Sequence, residues 1–364
     1  MTRHHIQIGE RMILKDKTIL ITGGTGSLGK VLLKRILTGE IGKPKRAIIF
    51  SRDEAKQHEM RMSYKHRIAA TDEIIYHNFE EIVQFRIGDV RDYHSIASAA
   101  KDVDIVFNAA ALKQVPTCEY FPFEAVQTNI DGPENIVRVI REHHLPVEMV
   151  VGISTDKACK PINVMGMTKA IQERVFISAN LSCPDTKFIC VRYGNVLASR
   201  GSVIPLFHEQ IKAGGPVTIT TPDMTRFLLS LDDAVDVIFA ALRTAHRGET
   251  YIPIIPSARV KDIAHLLIDD RKIEIVITGI RPGEKVHEIL VSEEECHRTV
   301  QRGKYYVIKS ILPEVQSSPK EPIALTREFS STDNLMAKED LRALLSNQQL
   351  LMSQLGETKE ELLR

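Results

Sequence analysis

Along the first half of the chain, short unbroken apolar runs alternate with stretches whose apolar residues recur every three or four positions. The first kind reads as buried strand, the second as amphipathic helix. The predicted strands are "KTILITGG" (17–24), "RAIIFSR" (46–52), "IVQFRIGDV" (82–90), "VDIVFNAAA" (103–111), "VEMVVGIST" (147–155) and "KFICVRYGNV" (187–196). Between them, "SLGKVLLKRILTGE", "HSIASAAK", "EAVQTNIDGPENIVRVIREHH" and a segment beginning near Val164 predict helices. Strands alternating with helices imply parallel crossovers, and so an α/β fold with a doubly wound parallel sheet.

After Tyr193 the rhythm breaks. Residues 197–225, with "ASRGSVIP", "AGGP" and "TTPDMTRF", read as loops around a lone helix. "SLDDAVDVIFAALRTA" (230–245) is again a helix and "ETYIPI" a strand. Residues 256–312 predict a small α/β region, "SSPKEP" (317–322) a linker, and residues 336–364 a helical end. The expected organisation is a nucleotide-binding domain over 15–199, to which 226–252 return. A smaller α/β substrate-binding region would comprise 200–225 and 253–330, followed by a helical extension over 331–364.

Composition narrows the class. Hydrophobic residues make up 43% and charged residues 26%, and the formal net charge is +1. This balance argues against a disordered chain and against a protein whose main affinity is for nucleic acid or anionic membrane. The five cysteines show no C-x-x-C and no metal-ligand spacing, which predicts reduced thiols and no metal site. No apolar run approaches the roughly 20 residues that span a bilayer, and "MTRHHIQIGERM" lacks the apolar core of a signal peptide. The expectation is a soluble, cytoplasmic protein without membrane insertion.

"TGGTGSLGK" (22–30) follows a predicted strand and opens a predicted helix, the context that a dinucleotide-binding loop requires. Gly23 allows the tight turn, Gly26 a close backbone approach to a pyrophosphate, and Gly29 close packing of helix and strand. Thr22, Thr25, Ser27 and Leu28 complete the candidate contacts, with phosphate held at the helix N-terminus. At the end of the second strand, "FSRDE" puts Ser51 and Arg52 where an acidic residue would hold a ribose 2′-hydroxyl, with Lys56 nearby. An arginine there suits a 2′-phosphate and favours NADP over NAD; in the alternative, Arg52 is solvated and Asp53 serves as the acidic residue. "GDVRD" brings Asp89 and Val90 toward an adenine, and Asn108, Ala109 and Ala110 end the fourth strand with the small residues that a bound cofactor demands.

These segments together carry a resemblance. "TGGTGSLG", "GDVRD", "NAAALKQVP", "STDKA-x-x-P-x-N-x-M-G-x-T-K" and "RYGNVLASRGSVIP" resemble the extended short-chain dehydrogenase/reductase superfamily, with its Rossmann-type sheet. More narrowly, they are similar to the inverting UDP-N-acetylglucosamine 4,6-dehydratases of surface-polysaccharide and flagellar-sugar biosynthesis. The similarity runs from about residue 15 to residue 347, including "RPGEKVHEIL" (281–290) and "REFSSTDN" (327–334). It implies a reaction in which C4 of the sugar is oxidised and C5–H, now acidic, is removed. The C6 hydroxyl then leaves as water, the hydride returns to C6, and C5 is reprotonated on the opposite face.

By this resemblance Asp156 protonates the leaving C6 hydroxyl and Lys157 removes the C5 proton, with Thr155 beside them. On the residues alone, a structural Asp–Lys ion pair at a strand end stays open. Lys169 takes the position that hydrogen-bonds the nicotinamide ribose; Lys113, Asn129 and Tyr193 are further candidate cofactor contacts. Met165 stands where the common pattern has tyrosine, and a thioether cannot move a proton; a subgroup of the family carries "MG" there. Lys157, a water held by Thr155, or Tyr193 is then the candidate acceptor of the C4 hydroxyl proton. Arg200, Arg226 and Arg281 are candidate contacts of a UDP-sugar's diphosphate or uridine, with Asn195, Lys113, Val203 and Glu284 also at the substrate. A homo-oligomer is implied. Two other readings stay open: a nucleotide-sugar 4-epimerase or reductase, and a non-catalytic NADP-binding regulatory protein.

Overall fold

Six strands of the computed structural model, which describes residues 12–65, 73–197, 202–316 and 319–354, follow the predicted alternation. They are Thr18–Thr22 (β1), Arg46–Ser51 (β2), Val83–Ile87 (β3), Ile105–Asn108 (β4), Met149–Thr155 (β5) and Lys187–Tyr193 (β6). Thr250–Pro253 (β7), Thr299–Arg302 (β8) and Tyr305–Ile308 (β9) join the same sheet, in the order β8-β9-β7-β6-β5-β4-β1-β2-β3. Neighbours from β7 to β3 are parallel, while β9 is antiparallel to β7 and β8. The chain runs outward from β1 to β3 and then resumes at β4 on the other side of β1. The strand order therefore reverses between β1 and β4, where open sheets of this kind bind ligands at the carboxyl ends of their strands.

Helices cover the two faces, among them Ser27–Leu37 (α1), Gly132–His143 (α2), Val164–Ser182 (α3) and Leu231–Thr244 (α4). Every residue of β1 is buried, because Ile19 and Ile21 face a core shared with α1 and α4 while Leu20 faces a core shared with α2 and α3. Burial on both faces is why the strands read as continuous apolar runs. A third core, containing Phe207, Val217, Ile263 and Leu267, belongs to a C-terminal lobe. The helix Lys338–Asn347 places Leu341 and Leu345 in that same core, so it packs on its own lobe.

Several boundaries differ from expectation. The predicted helix over 124–144 is interrupted by a π-helical turn, Gln127–Asp131, just before Gly132-Pro133. Proline lacks an amide hydrogen and its ring crowds the carbonyl four residues back, which widens the helix there. The fourth strand ends at Asn108 and its alanines form a loop. The sixth ends at Tyr193, and Asn195–Val196 leaves it to pair with Thr225–Leu229. Thr225–Leu229, read as part of a loop segment, is a fully buried strand. The β8–β9 hairpin, expected within the substrate-binding region, lies on the central sheet. Residues 317–318 of the expected linker and 355–364 of the helical end lie outside the described residues.

Candidate active site

Gly23 opens the turn after β1 at φ +64°, and a β-carbon on it would stand 2.7 Å from the Ala110 amide nitrogen. The left-handed backbone and the lack of space both require glycine there. Gly29 presses the first turn of α1 onto the loop itself, since its β-carbon would meet the Gly24 carbonyl oxygen at 2.5 Å. Gly26 is the N-cap of α1, so no side chain caps the first amides of this 11-residue helix. Glycine in place of a capping side chain costs only a few tenths of a kcal/mol, whereas burying Leu32, Leu33, Ile36 and Leu37 contributes roughly 1.5–3 kcal/mol each. The helix therefore forms with its amide groups left for a ligand, and the glycine cradle fits a dinucleotide pyrophosphate.

Around this loop, Thr22 Oγ1 donates to Asn108 Oδ1 at 2.9 Å and accepts from the Ala110 amide at 3.3 Å, joining the ends of β1 and β4. Thr25 Oγ1 bonds Ser51 Oγ at 3.2 Å across to β2. Ser27 is exposed, Leu28 and Ala109 are half-buried against the core, and Asn108 is buried with its Nδ2 unpartnered. Arg52 is 57% exposed, with NH1 3.8 Å from Asp89 Oδ2. Asp53 pairs with Lys56 at 2.6 Å, and that hydrogen bond holds its carboxyl below the usual range. Asp89 is also held low: burial opposes its charge, but the Arg91 hydrogen bonds and charge outweigh it. Val90 is buried against Gly132. Arg52 is thus the exposed cation at the β2 end, while the neighbouring acids already have partners.

Asn129 sits inside the molecule. Its Oδ1 accepts from the Leu112 amide at 2.9 Å, and its Nδ2 donates to the Leu112 carbonyl and to Thr168 Oγ1. It clamps the loop after β4, with Lys113 exposed beside the clamp, to α3. All three bonds of its side chain thus run to the loop after β4 and to α3.

The carboxyl end of β5 carries the densest chemistry. Asp156 is fully buried; its Oδ1 accepts from Thr155 Oγ1 at 2.8 Å and from Lys157 Nζ at 3.1 Å. Its Oδ2 is buried without a protein partner. Lys157 Nζ also lies 3.1 Å from Glu288 Oε1 and 3.2 Å from Asn195 Oδ1. Burial pushes the Asp156 carboxyl up, and the Glu288 charge adds to that against the pull of Lys157. Burial disfavours the Lys157 ammonium, yet the two carboxylates together raise it. Glu288 is desolvated as well, but Lys157 and Arg226 hold it ionised. The cluster therefore pairs a charged lysine with one ionised carboxylate and a second carboxyl that is pushed toward its acid form.

The start of α3 locks this turn in place. Asn163 caps the helix by accepting from the Gly166 amide at 2.8 Å and donates to the Gly283 carbonyl at 2.7 Å. Met165 is buried with Cys118 and Ala125, so its thioether fills an apolar cluster. Lys169 Nζ donates to the Ile153 carbonyl and to Gln172 Oε1, both at 2.6 Å, and burial holds its amine down to about 8. Tyr193 is buried, and desolvation pushes its phenol well above the usual value, which makes it a poor proton acceptor. Behind β5 and β6, Arg192 pairs with Glu173 and Glu295, all three buried, and Glu173 accepts from Ser154 Oγ.

Of the substrate candidates, Asn195 meets Lys157, and Arg226 is drawn inward. Arg226 NH1 donates to the Thr225 and Val286 carbonyls, and its Nε lies 3.9 Å from Glu288. A strand position buries it where a loop would have exposed it. Arg281 is 55% exposed with Glu284 at 4.0 Å, and Glu284 accepts from Thr220 Oγ1. Val203 is half-buried against the C-terminal lobe. Arg200 lies outside the described residues. Glu288, absent from the sequence candidates, is the residue that reading missed. The signal lay in "VHEIL", where Glu288 shares the inward parity of buried Leu290.

A family described as polysaccharide biosynthesis protein matches residues 19–310. A protein of Rickettsia bellii named UDP-glucose 4-epimerase is 47% identical over 298 residues, covering 80% of this chain and 83% of that one. Pen from Bacillus thuringiensis, known by X-ray structure, is 36% identical with a TM-score of 0.82, covering 93% of this chain and 99% of its own. DesIV, a dTDP-glucose 4,6-dehydratase from Streptomyces venezuelae with NAD and TYD bound, shares the fold at 18% identity and a TM-score of 0.62. It covers 74% of this chain and 86% of its own.

Proposed function

The chain belongs to the polysaccharide biosynthesis protein family, and on that premise we propose that it is a UDP-N-acetylglucosamine 4,6-dehydratase that inverts C5 and recycles bound NADP. The observation that carries this reading is Asp156, buried beside Lys157 with Oδ2 free of any protein partner. A carboxyl kept toward its acid form next to an amine is what water loss across C5–C6 requires.

NADP in the glycine cradle would supply the recycled C4 oxidation and C6 reduction. Gly23, Gly26 and the α1 amides would hold the pyrophosphate, and Arg52 the 2′-phosphate. Lys169 would present its amine at the nicotinamide ribose. Asp156 delivers the proton to the leaving C6 oxygen, and Lys157 takes the C5 proton once it has given up its own. The buried position of Met165 supports Lys157 or a water held by Thr155 over residue 165 for the C4 hydroxyl proton. Arg281 is the proposed diphosphate contact. Exposed Tyr120, Phe121, Phe123, Met167 and Ile171 support a second copy of the chain as the partner of that surface.

A 4-epimerase is the second reading, favoured by the name of the Rickettsia relatives. It needs no acid aimed at C6. Incubation with UDP-N-acetylglucosamine in D2O, followed by mass spectrometry and proton NMR, separates the two. A product lighter by water, deuterated and inverted at C5, supports the dehydratase. A C4 epimer of unchanged mass overturns it.

A further inference from the structure

The resting cluster poses a problem for a lysine base. Lys157 carries its proton between two carboxyls, and an ammonium cannot remove a proton from carbon. Water does not need to solve this, because Glu288 lies 3.1 Å from the lysine nitrogen and is itself 1% exposed. Its backbone is pinned on both sides: the amide donates to Ser331 Oγ at 3.0 Å, and the carbonyl accepts from the Ser331 amide at 2.8 Å. Oε2 of the same carboxylate is buried without a protein partner, so it has an open lone pair.

We infer that Glu288 is the proton acceptor that frees Lys157 to act as base and then returns that proton to Lys157, as the lysine hands its C5-derived proton to Asp156. This inference rests on the dehydratase reading and deepens it. Glu288 touches Lys157 rather than substrate, so it is a positioning residue.

The proton count of the elimination closes with the C4 hydroxyl proton carried by the water held at Thr155, which leaves Lys157 for C5. At rest the cluster holds two protons, one on Asp156 and one on the Lys157 ammonium. Transfer across the Lys157–Glu288 hydrogen bond turns an ion pair into a neutral amine and a neutral acid, a change that a low-dielectric interior tolerates. The amine takes H+ from C5, and the C6–O bond breaks as Asp156 protonates the departing oxygen. The cluster is left with Lys157 charged, Glu288 protonated and Asp156 ionised. Lys157 passes its proton to Asp156 and receives the one on Glu288, which restores the starting state. Both carboxyls bond the same lysine nitrogen, so one atom serves both transfers.

The four charged groups around Glu288 come from three elements: Lys157 and Asp156 after β5, Arg226 on the Thr225–Leu229 strand, and Lys285 on its own segment. Asn195 supplies a neutral oxygen to Lys157.

The test compares the full-length wild type with Glu288→Gln and Glu288→Asp, all loaded with NADP. Deuterium exchange at C5 of UDP-N-acetylglucosamine and single-turnover absorbance at 340 nm are followed against pH. In wild type, exchange is expected to be flat near neutral pH, since the acceptor is internal. In Glu288→Gln it should fall at least tenfold at neutral pH and rise with pH along the titration of Lys157, while C4 oxidation persists. Glu288→Asp, which keeps the carboxylate, should recover part of the exchange. A Glu288→Gln enzyme with the wild-type pH profile, or one whose KM alone changes, overturns the relay. The Lys157 titration is read separately, from the pH dependence of its acetylation by peptide mass spectrometry. It should move to lower pH in Glu288→Gln, and no movement overturns the coupling even if the protein dehydrates no sugar. Inactive wild type with a shifted Lys157 titration would instead count against the dehydratase reading alone.

Discussion

The first turn of α3 lies directly on the turn that carries Asp156 and Lys157: a β-carbon on Gly166 would stand 2.2 Å from the Lys157 carbonyl oxygen. That distance is well inside van der Waals contact, and the atom it meets is backbone. The glycine of "MGMTK" is thus a spacer that lets the helix hold the site. Gly166→Ala should force the turn and α3 apart, destabilise by about 1–3 kcal/mol and lower turnover more than it weakens cofactor binding. Thermal melts and steady-state kinetics on one preparation check both parts.

Asp156→Asn removes the acid but keeps its shape and its hydrogen bond to Thr155. Water loss should fall by about 10²–10⁴-fold, the usual weight of a general acid. NADP reduction by the UDP-sugar should persist, and accumulation of absorbance at 340 nm is the readout.

Lys169 is held at about 8 by burial, against an ordinary value of 10.5. Between those two pH values the unfolded chain binds a proton that the native state does not, so this group's contribution to stability rises with pH there. Below about 8 the contribution is at its lowest and flat. One pKa unit corresponds to about 1.4 kcal/mol, so the full span is on the order of 3 kcal/mol. The stability difference between wild type and Lys169→Met, from urea unfolding at several pH values, should grow in favour of wild type from pH 8 upward.

Arg52 is the exposed cation at the end of β2, and the nearby acids are already paired. Arg52→Ala should weaken NADP binding by about 10- to 100-fold, the size of a lost charge-assisted hydrogen bond of roughly 1.5–3 kcal/mol. NAD binding should be unchanged. Calorimetric titration with each nucleotide reads the difference.

Arg192 is buried between Glu173 and Glu295; burial pushes the Glu295 carboxyl up, but the charge and hydrogen bonds of Arg192 outweigh it and hold it at about 2. Arg192→Leu leaves two carboxylates without their cation and should cost about 3–5 kcal/mol. The loss should shrink in acid, where those carboxyls protonate. Midpoints of thermal unfolding at neutral and low pH test this.

The strand–helix alternation, the glycine loop and the adjacency of Asp156 and Lys157 were legible along the chain because each is written in neighbouring residues. Apolar periodicity reports burial, a glycine after a strand reports a turn, and residues at a strand end share one edge of the sheet. The π turn at 127–131 was half legible, since Gly132-Pro133 announces a disturbed helix but not its form. Arg226 reads as a loop arginine until Thr225–Leu229 pairs with Asn195–Val196 and Ser257–Arg259 and buries it.

By itself the sequence determined the α/β class, the glycine turn after β1 and the pairing of an acid with an amine at the end of β5. Only the tertiary structure decided that Glu288, just before the strand Ile289–Val291, completes that pair, that Asn129 faces α3, and that Met165 fills an apolar cluster. The reason is physical: a buried charge must be matched by whatever group packing brings within about 3–4 Å, and no local pattern records which distant segment that will be.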